Sequence, residues 1–193
     1  MSGFTKEIII RTLFELLNEK TLAKITVKDI VERCGVNRNT FYYHFKDISD
    51  VVEYALLREV DNAFEHPVEV DSMLECLEVL VNLIGENKKA MLHIYCSVQR
   101  ETFTSALDKM CQYVIKQYIV HNFDEEIMEK EDMKVLMHFY KCVMIGVILD
   151  WMDHRMSYDL TEYAGKLREL YENTFEKTLE KAAGTKPAYL KII

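Results

Sequence analysis

The segment from Thr26 to Phe45, TVKDIVERCGVNRNTFYYHF, restricts the fold more than any other part of the sequence. Thr26 is a good N-cap for a short helix with apolar residues at a 3.6-residue period, and Gly35 is typical of a helix end. A second cap residue, Asn37, follows shortly after this glycine. The two short helices must therefore meet at a steep angle, which is the helix-turn-helix pattern.

The rest of the chain also has helical periodicity and holds few turn-forming residues. Only 6 Gly and 2 Pro occur in the sequence, whereas a sheet architecture needs frequent tight turns. The spacing predicts a first helix over residues 6–20 capped by Thr5, and a long helix that starts after Asp47 or Ser49 and ends near Phe64. Further helices are predicted near residues 70–84, 88–97, 101–121, 129–155 and 161–183. We therefore expect an all-α fold.

The second short helix divides its side chains between two faces. Phe41 and Phe45 lie one turn apart and are predicted to pack inward against the preceding helices. His44 lies between the faces, so both a bond to the backbone and a phosphate contact stay open for it. The polar and aromatic side chains of the outward face suit the major groove of DNA, where Arg pairs with guanine, Asn with adenine, and phenolic hydroxyls reach phosphates. The outward face carries Arg38, Asn39, Thr40, Tyr42 and Tyr43.

Residues 25–55, ITVKDIVERCGVNRNTFYYHFKDISDVVEYA, resemble the DNA-binding signature of the TetR family of bacterial transcriptional regulators. The capped helix, the Cys-Gly-Val turn, the TFYYHF recognition helix and the Lys after it all occur in register. The resemblance implies an N-terminal three-helix helix-turn-helix DNA-binding domain in residues 1–47. It also implies a larger helical C-terminal dimerisation and ligand-binding domain in residues 48–193.

The DNA contacts that this resemblance implies lie on the second helix, on the recognition helix and directly after it. One departure from the family pattern is Ile48, because the family usually carries a second Lys at the start of the fourth helix. A phosphate contact there would rest on Lys46 or on backbone N–H groups. The implied contact residues are Thr26, Lys28, Arg38, Asn39, Thr40, Tyr42, Tyr43, His44 and Lys46.

The charge of the chain is divided unevenly between its ends. Lys and Arg outnumber Asp and Glu by 8 to 6 in residues 1–48, but are outnumbered by 26 to 16 in residues 49–193. A basic start on an acidic body fits a polyanion-binding end, although a difference of this size also arises by chance.

Two late helices are predicted to pair with their copies in a second chain. Residues 142–149 are apolar on nearly all sides, which predicts that this helix is covered all round, and the last helix has an apolar stripe at bundle spacing. A four-helix homodimer interface would cover both, as the TetR resemblance also implies. The alternative is a monomer in which both helices serve one core. The predicted interface residues are Gly146, Trp151, Leu167, Leu170, Tyr171 and Phe175.

The TetR resemblance further implies a small-molecule effector bound in the C-terminal core. An ordinary apolar core explains the same Met and aromatic side chains, so both interpretations stay open. Two pairs, His93 with Cys96 and His138 with Cys142, share a helix face, but two ligands without acidic partners are a weak metal signal. Hence neither a metal nor a cofactor is predicted. The candidate effector-binding residues are Met91, Tyr95, Phe103, Met110, Tyr113, Tyr118, His138 and Met144.

Several other functions find no support in the sequence. The five scattered cysteines form no Cys-x-x-Cys pair and read as reduced thiols of a cytosolic protein. Lys6, Glu7 and Arg11 interrupt any signal peptide, and the longest apolar run, residues 142–149, is far short of the roughly 20 residues that a membrane span needs. Phosphate-binding Gly loops, Ser nucleophile elbows and paired-His motifs are missing, so no enzyme is predicted.

Together these patterns predict a cytoplasmic bacterial transcription regulator without a membrane association. In this interpretation it is a repressor that binds a palindromic double-stranded operator as a homodimer and is released by an effector. One alternative is an activator or co-regulator whose C-terminal body binds a protein partner instead of an inducer. Another is a helical binding protein that has lost its affinity for DNA.

Overall fold

The computed structural model describes residues 2–65, 70–123, 130–170 and 174–183. These residues form helices and turns, with no strand among them, so the prediction of an all-α fold is confirmed. The helices are α1 (Ser2–Glu19), a 3-10 turn (Leu22–Lys24), α2 (Val27–Cys34), α3 (Arg38–His44), α4 (Ile48–Glu65), α5 (Met73–Glu86), α6 (Lys88–Tyr95), α7 (Arg100–Asn122), α8 (Glu131–Asp153), α9 (Leu160–Leu170) and α10 (Thr174–Ala183).

Two helix starts differ from or refine the predicted ones. The prediction of Thr5 as a cap is wrong, because α1 begins at Ser2 and no proline in the first residues prevents this extension. Of the two caps considered for α4, Asp47 is the one used, since its Oδ1 accepts the N–H of Asp50 at 2.9 Å. The predicted helix over 161–183 corresponds to α9 and α10, and residues 171–173 between them lie outside the described residues.

The chain divides into two compact units. The first comprises Met1–Asn62 and Ile84–Leu107, and the second comprises Ala63–Leu83 and Asp108–Ile193. The helix-turn-helix therefore shares its unit with α6. The boundary predicted between residues 47 and 48 separates a DNA-binding domain from a dimerisation and ligand-binding domain. It divides the chain by function and stays a prediction.

The core of the first unit is built from apolar side chains of α1 to α4. Within it α1 packs against α2 and α6, and α2 packs against α3. Burying one Leu, Ile or Phe contributes roughly 1.5–3 kcal/mol relative to exposure, so this cluster dominates the stability of the unit. The members that are fully shielded from solvent are Ile9, Leu13, Leu17, Ile30, Phe41, Val51 and Val52.

The C-terminal end of α1 is a junction for two other helices of this unit. The Arg33 guanidinium donates two hydrogen bonds to the Glu19 carboxylate, at 2.6 and 2.8 Å, and this lowers the pKa of Glu19. On α6, His93 Nδ1 lies 2.8 Å from the Leu17 carbonyl oxygen, and Lys89 Nζ donates to a neighbouring α1 carbonyl. Polar contacts thus connect α2 and α6 to the same end of α1.

In the second unit, the turn between α8 and α9 is held by a chain of hydrogen bonds. Arg155 and Met156 both have positive φ, 56° and 51°, a conformation that costs free energy in non-glycine residues. The Met156 N–H donates to the Trp151 carbonyl at 2.8 Å, and the Trp151 indole donates to the Tyr158 carbonyl at 2.9 Å. The Tyr158 hydroxyl donates to Asp150, and burial followed by this bond raises the pKa of Tyr158 to about 12. These bonds set the direction in which α9 leaves α8.

Helix α8 is long and apolar enough, by length and composition, to cross a membrane. Its mean hydropathy is 1.5 over the most apolar window, of which 28% is buried. The unbroken apolar run 142–149 alone, from which no membrane span was predicted, did not indicate this candidate. A single helix of this kind is weak evidence for a membrane, since core helices of soluble proteins have the same composition.

Candidate nucleic-acid interface

Helix α2 and the turn after it are defined by their end residues. At the start of α2, the Asp29 N–H donates to Thr26 Oγ1 at 3.2 Å, and the Asp29 carboxylate accepts the Thr26 N–H at 2.7 Å, which completes a capping box. At its end, Gly35 has φ 73° and donates to the Val31 carbonyl at 3.0 Å. A side chain at this left-handed position costs roughly 1 kcal/mol, which explains the glycine.

Helix α3 begins at a side-chain cap and is held by one buried face. Asn37 Oδ1 accepts the Thr40 N–H at 2.8 Å and the Thr40 hydroxyl at 3.1 Å. On the inward face, Phe41 and Phe45 are both buried, with ring centroids 6.1 Å apart. The inward position of both rings is the one predicted, and it directs the remaining side chains of α3 outward.

The outward face of α3 is exposed and rich in hydrogen-bond donors. Tyr43 is 82% exposed, and Tyr42 is also a large exposed side chain. Arg38 and Asn39 are exposed as well, and within the described part of the chain the Arg38 guanidinium has no ion-pair partner. A guanidinium without an internal partner is available to pair with a phosphate or with a guanine edge.

Exposed lysines precede and follow this face. Lys28 on α2 lies 3.7 Å from Glu32 in an exposed pair that contributes little to stability, and Lys46 is exposed after α3. Lys24, exposed in the 3-10 turn just before Thr26, was missed by the sequence reasoning, although its place in a short connector before a predicted contact residue was a usable signal. Lysines flanking a recognition helix suit phosphate contacts.

Three of the predicted contact residues also have internal roles. The Thr26 hydroxyl donates to Asp29 at 2.7 Å, and the Thr40 hydroxyl donates to Asn37. Each threonine therefore offers its methyl group or a lone pair to a ligand. The half-buried His44 has its ring against Tyr43, with centroids 5.0 Å apart, so it supports the exposed tyrosine.

The capping box yields a prediction about acid stability. We expect Thr26→Ala to lower the free energy of unfolding by about 1 kcal/mol, because the Asp29 N–H loses its acceptor. Hydrogen bonds from Thr26 and then from Lys20 lower the pKa of Asp29 to about 2. Because the folded-state pKa is depressed, this stabilisation is present above the ordinary carboxyl pKa and is lost as the pH falls through about 2. Urea unfolding at several pH values measures both effects.

The matched control for Thr26→Ala is Thr21→Ala, because Thr21 precedes the 3-10 turn without a side-chain capping bond. Thr21→Ala should leave the unfolding free energy within about 0.5 kcal/mol of the wild type. A difference in unfolding free energy between the wild type and Thr26→Ala that stays constant down to strongly acid pH would contradict the assigned role of Asp29.

Most of the predicted effector-binding residues are buried, but they belong to two units. In the first unit, Tyr95 and Phe103 meet with ring centroids 5.5 Å apart, and the Arg100 guanidinium lies 4.2 Å from the centre of the Tyr95 ring. His138 differs from the rest, because it is exposed on α8 with Nε2 3.7 Å from Sγ of Cys142. The buried members are Met91, Tyr95 and Phe103 in the first unit and Met110, Tyr113, Tyr118 and Met144 in the second.

The predicted interface residues differ in their exposure to solvent. Gly146 is exposed, and a Cβ built there would meet no atom within 4 Å. Leu170 is 78% exposed and Leu167 is half-buried, whereas Trp151 is buried by its own protomer and bonded to the Tyr158 carbonyl. Trp151 is therefore not exposed as an anchor for a partner. Tyr171 and the side chain of Phe175 lie outside what the structure describes.

Helix α8 exposes an apolar stripe, formed by Val135, Phe139, Val143 and Gly146. The three side chains are 59%, 55% and 42% exposed, and their spacing places them with Gly146 on one helix face. The sequence reasoning missed Val135 and Phe139, although their four-residue spacing to Val143 was a signal. An exposed apolar stripe of this length is typical of a protein interface.

A groove between α8 and α9 adjoins this stripe at Gly146. Its volume is about 610 Å³, and it is lined by residues of both helices in the second unit. On α9, Lys166 pairs with Glu162 at 2.5 Å, so the groove carries both signs of charge. The lining residues are Gly146, Val147, Asp150, Tyr158, Asp159, Glu162, Tyr163 and Lys166.

A buried-Phe, exposed-Tyr recognition helix on a capped helix-turn-helix, followed by a helical body, defines the class of helix-turn-helix transcription regulators. Two regions of the chain match known families of regulators. Residues 9–55 match the family of bacterial regulatory proteins named tetR, and residues 71–173 match a transcriptional regulator C-terminal region of TetR type. The chain belongs to the TetR family of bacterial transcriptional regulators.

Two curated relatives agree with this assignment. The uncharacterized HTH-type transcriptional regulator YerO of Bacillus subtilis (strain 168) is 30% identical over 139 residues, covering 72% of this chain and 42% of that relative. Tetracycline repressor protein class C of Escherichia coli is 38% identical over 47 residues, covering 24% of this chain and 22% of that relative. The matched region thus spans less than half the length of either relative.

Proposed function

We propose that the protein is a cytoplasmic, homodimeric repressor of transcription whose two α3 helices read a palindromic operator. The observation that carries this proposal is the division of α3 into a buried Phe41 face and an exposed face with Arg38 and Tyr43. Such a helix is fixed by its core and presents donors to an external ligand. A two-fold dimer places two of these helices about one turn of DNA apart, so each reads one half-site.

The exposed stripe on α8 supports dimerisation. Within the second unit, Leu170 and Tyr163 on α9 are also exposed apolar side chains. A second copy that covered these side chains would bury apolar area at roughly 25 cal/mol per Å². Open space above Gly146 would let a partner helix approach closely. The two-fold interface is thus proposed to contain α8 and α9 of both protomers.

Release from DNA by a small-molecule effector is proposed from the position of α6. This helix carries Met91 and Tyr95, two of the candidate effector-binding residues. It also bonds the end of α1 through His93 and Lys89. An effector that bound beside Met91 and shifted α6 would therefore act first on the unit that holds the recognition helix, and differential affinity for the two arrangements would set the response.

Changing Arg38 tests the proposed recognition face directly. We expect Arg38→Ala to weaken binding to a selected operator by about 1–3 kcal/mol, roughly 5- to 150-fold, with the loss concentrated at one base position of each half-site. Fluorescence anisotropy with labelled duplexes that differ at single positions measures the affinity and locates the loss.

Arg11→Ala is the matched control for this experiment. Arg11 is an exposed arginine on α1 that pairs with Glu15 in a weak surface interaction. Arg11→Ala should change operator affinity by less than the loss expected for Arg38→Ala. Equal losses for both variants, or an unchanged affinity for Arg38→Ala, would show that the recognition face is assigned wrongly.

A co-regulator that binds another protein through its body is the second candidate function. The α8 stripe favours this candidate as much as it favours a second copy, because either partner would cover it. The mass of the purified protein separates them. A homodimer in isolation would favour self-association, whereas a stable monomer that becomes larger only with a host protein would favour the co-regulator.

A further inference from the structure

One histidine–cysteine pair on α8 has no part in the DNA contacts proposed for α2 and α3. His138 and Cys142 lie one helical turn apart, and both are exposed. The His138 Nε2 atom stands 3.7 Å from the Cys142 Sγ atom. Neutral imidazole and thiolate are the two ligand types that structural zinc sites use.

The distance between these atoms fits two ligands of one zinc ion. With Zn–S and Zn–N distances of about 2.3 and 2.0–2.1 Å at a tetrahedral angle, the two ligand atoms stand about 3.6 Å apart. The observed 3.7 Å requires only a small adjustment.

One protomer supplies only half of such a site. Among the described residues, no group of three or more His, Cys, Asp or Glu side chains is placed to hold a metal ion. A closed structural zinc site needs four ligands. The missing two must therefore come from outside the described chain.

A second copy is the source that the fold favours. Cys142 shares the exposed face of α8 with Phe139 and Gly146, and a Cβ at Gly146 would meet nothing within 4 Å. In a two-fold interface, residues close to the axis meet their own copies. A crossing of α8 with its copy beside Phe139, which lies between His138 and Cys142 in sequence, would bring the two His138–Cys142 pairs together near the axis.

We propose that two protomers bind one Zn²⁺ between them through His138 and Cys142 of each protomer, in a Cys₂His₂ site at the interface. This inference rests on the proposed homodimer. Because the ion needs both copies, zinc binding stabilises the dimer by mass action and thereby raises operator affinity. The site would make DNA binding respond to the availability of a thiophilic divalent cation.

The test is a metal titration of the full chain, purified metal-free under reducing conditions. Calorimetry with Zn²⁺ should give one ion per two chains. Titration with Co²⁺ should give a thiolate-to-metal charge-transfer band and the visible spectrum of a tetrahedral ion. Cys142→Ser and His138→Gln should each abolish this stoichiometric binding. Their matched controls, Cys96→Ser and His154→Gln, replace another exposed cysteine and another exposed histidine and should bind as the wild type does.

Sedimentation equilibrium with and without Zn²⁺ separates failure of the metal site from failure of the dimer. A dimer that binds no zinc overturns the metal site and leaves the proposed function intact. A chain that stays monomeric in both conditions overturns the homodimer and the site together. One zinc per chain, unchanged binding by Cys142→Ser, or a Cys142 disulfide between protomers in place of zinc binding would each overturn the inference.

Discussion

Replacing Phe41 by alanine should lower the free energy of unfolding by about 3–5 kcal/mol, because a large core side chain is lost and a cavity remains. Phe41 is fully buried and contacts Phe45, and α3 is held to α2 through this inward face. Domains of this kind are stable by only about 5–15 kcal/mol, so most of that margin would be removed. Urea unfolding followed by circular dichroism measures the change.

The matched control lies on the same helix. Tyr43 is an aromatic residue that is 82% exposed, so Tyr43→Ala should change the unfolding free energy by less than about 0.5 kcal/mol while weakening operator binding. Phe41→Leu, which keeps most of the volume, should recover most of the stability. The proposed division of α3 would be contradicted if Tyr43→Ala destabilised the protein as much as Phe41→Ala does.

Introducing a charge at Phe139 should dissociate the proposed dimer. This side chain is 55% exposed in the protomer and lies in the middle of the α8 stripe. Truncating an interface anchor costs about 2 kcal/mol or more, and the two-fold axis applies the change twice. Phe139→Asp should therefore weaken self-association by about 4 kcal/mol, roughly a thousandfold, with loss of tight operator binding. Sedimentation equilibrium measures the dissociation constant.

Val98→Asp serves as the control for Phe139→Asp. Val98 is 92% exposed in the turn between α6 and α7, away from both α8 and α9 in sequence. Val98→Asp should leave the sedimenting mass and the operator affinity as they are in the wild type. A Phe139→Asp protein that remained a dimer with unchanged affinity would show that the α8 stripe is not the interface.

The helix-turn-helix end of the chain was predictable because its signals are local. The caps at Thr26 and Asn37, and Gly35 at the turn, each act within a few residues of the sequence. The inward and outward positions of Phe41 and Tyr43 follow from helical periodicity alone. The structure added the internal partners of Thr26 and Thr40, which depend on side-chain rotamers that a pattern does not contain.

The body was less predictable because burial there depends on long-range packing. An apolar helix such as α8 has the same pattern whether its own chain or another chain covers it. Trp151 was expected at an interface, but the turn after α8 folds back and its indole bonds the Tyr158 carbonyl. His138 was expected in a core and is exposed, since α8 directs Met144 inward and His138 outward.

Selection of bound duplexes from a random DNA library by the purified protein tests the central claim most directly. At moderate salt, the proposed function predicts enrichment of one palindrome with two half-sites about one helical turn apart. The Tyr43→Ala protein should not enrich it, and phosphate contacts predict binding that weakens as salt rises. Enrichment of no sequence at low salt, by a protein that sediments as a folded dimer, would contradict operator recognition by this chain.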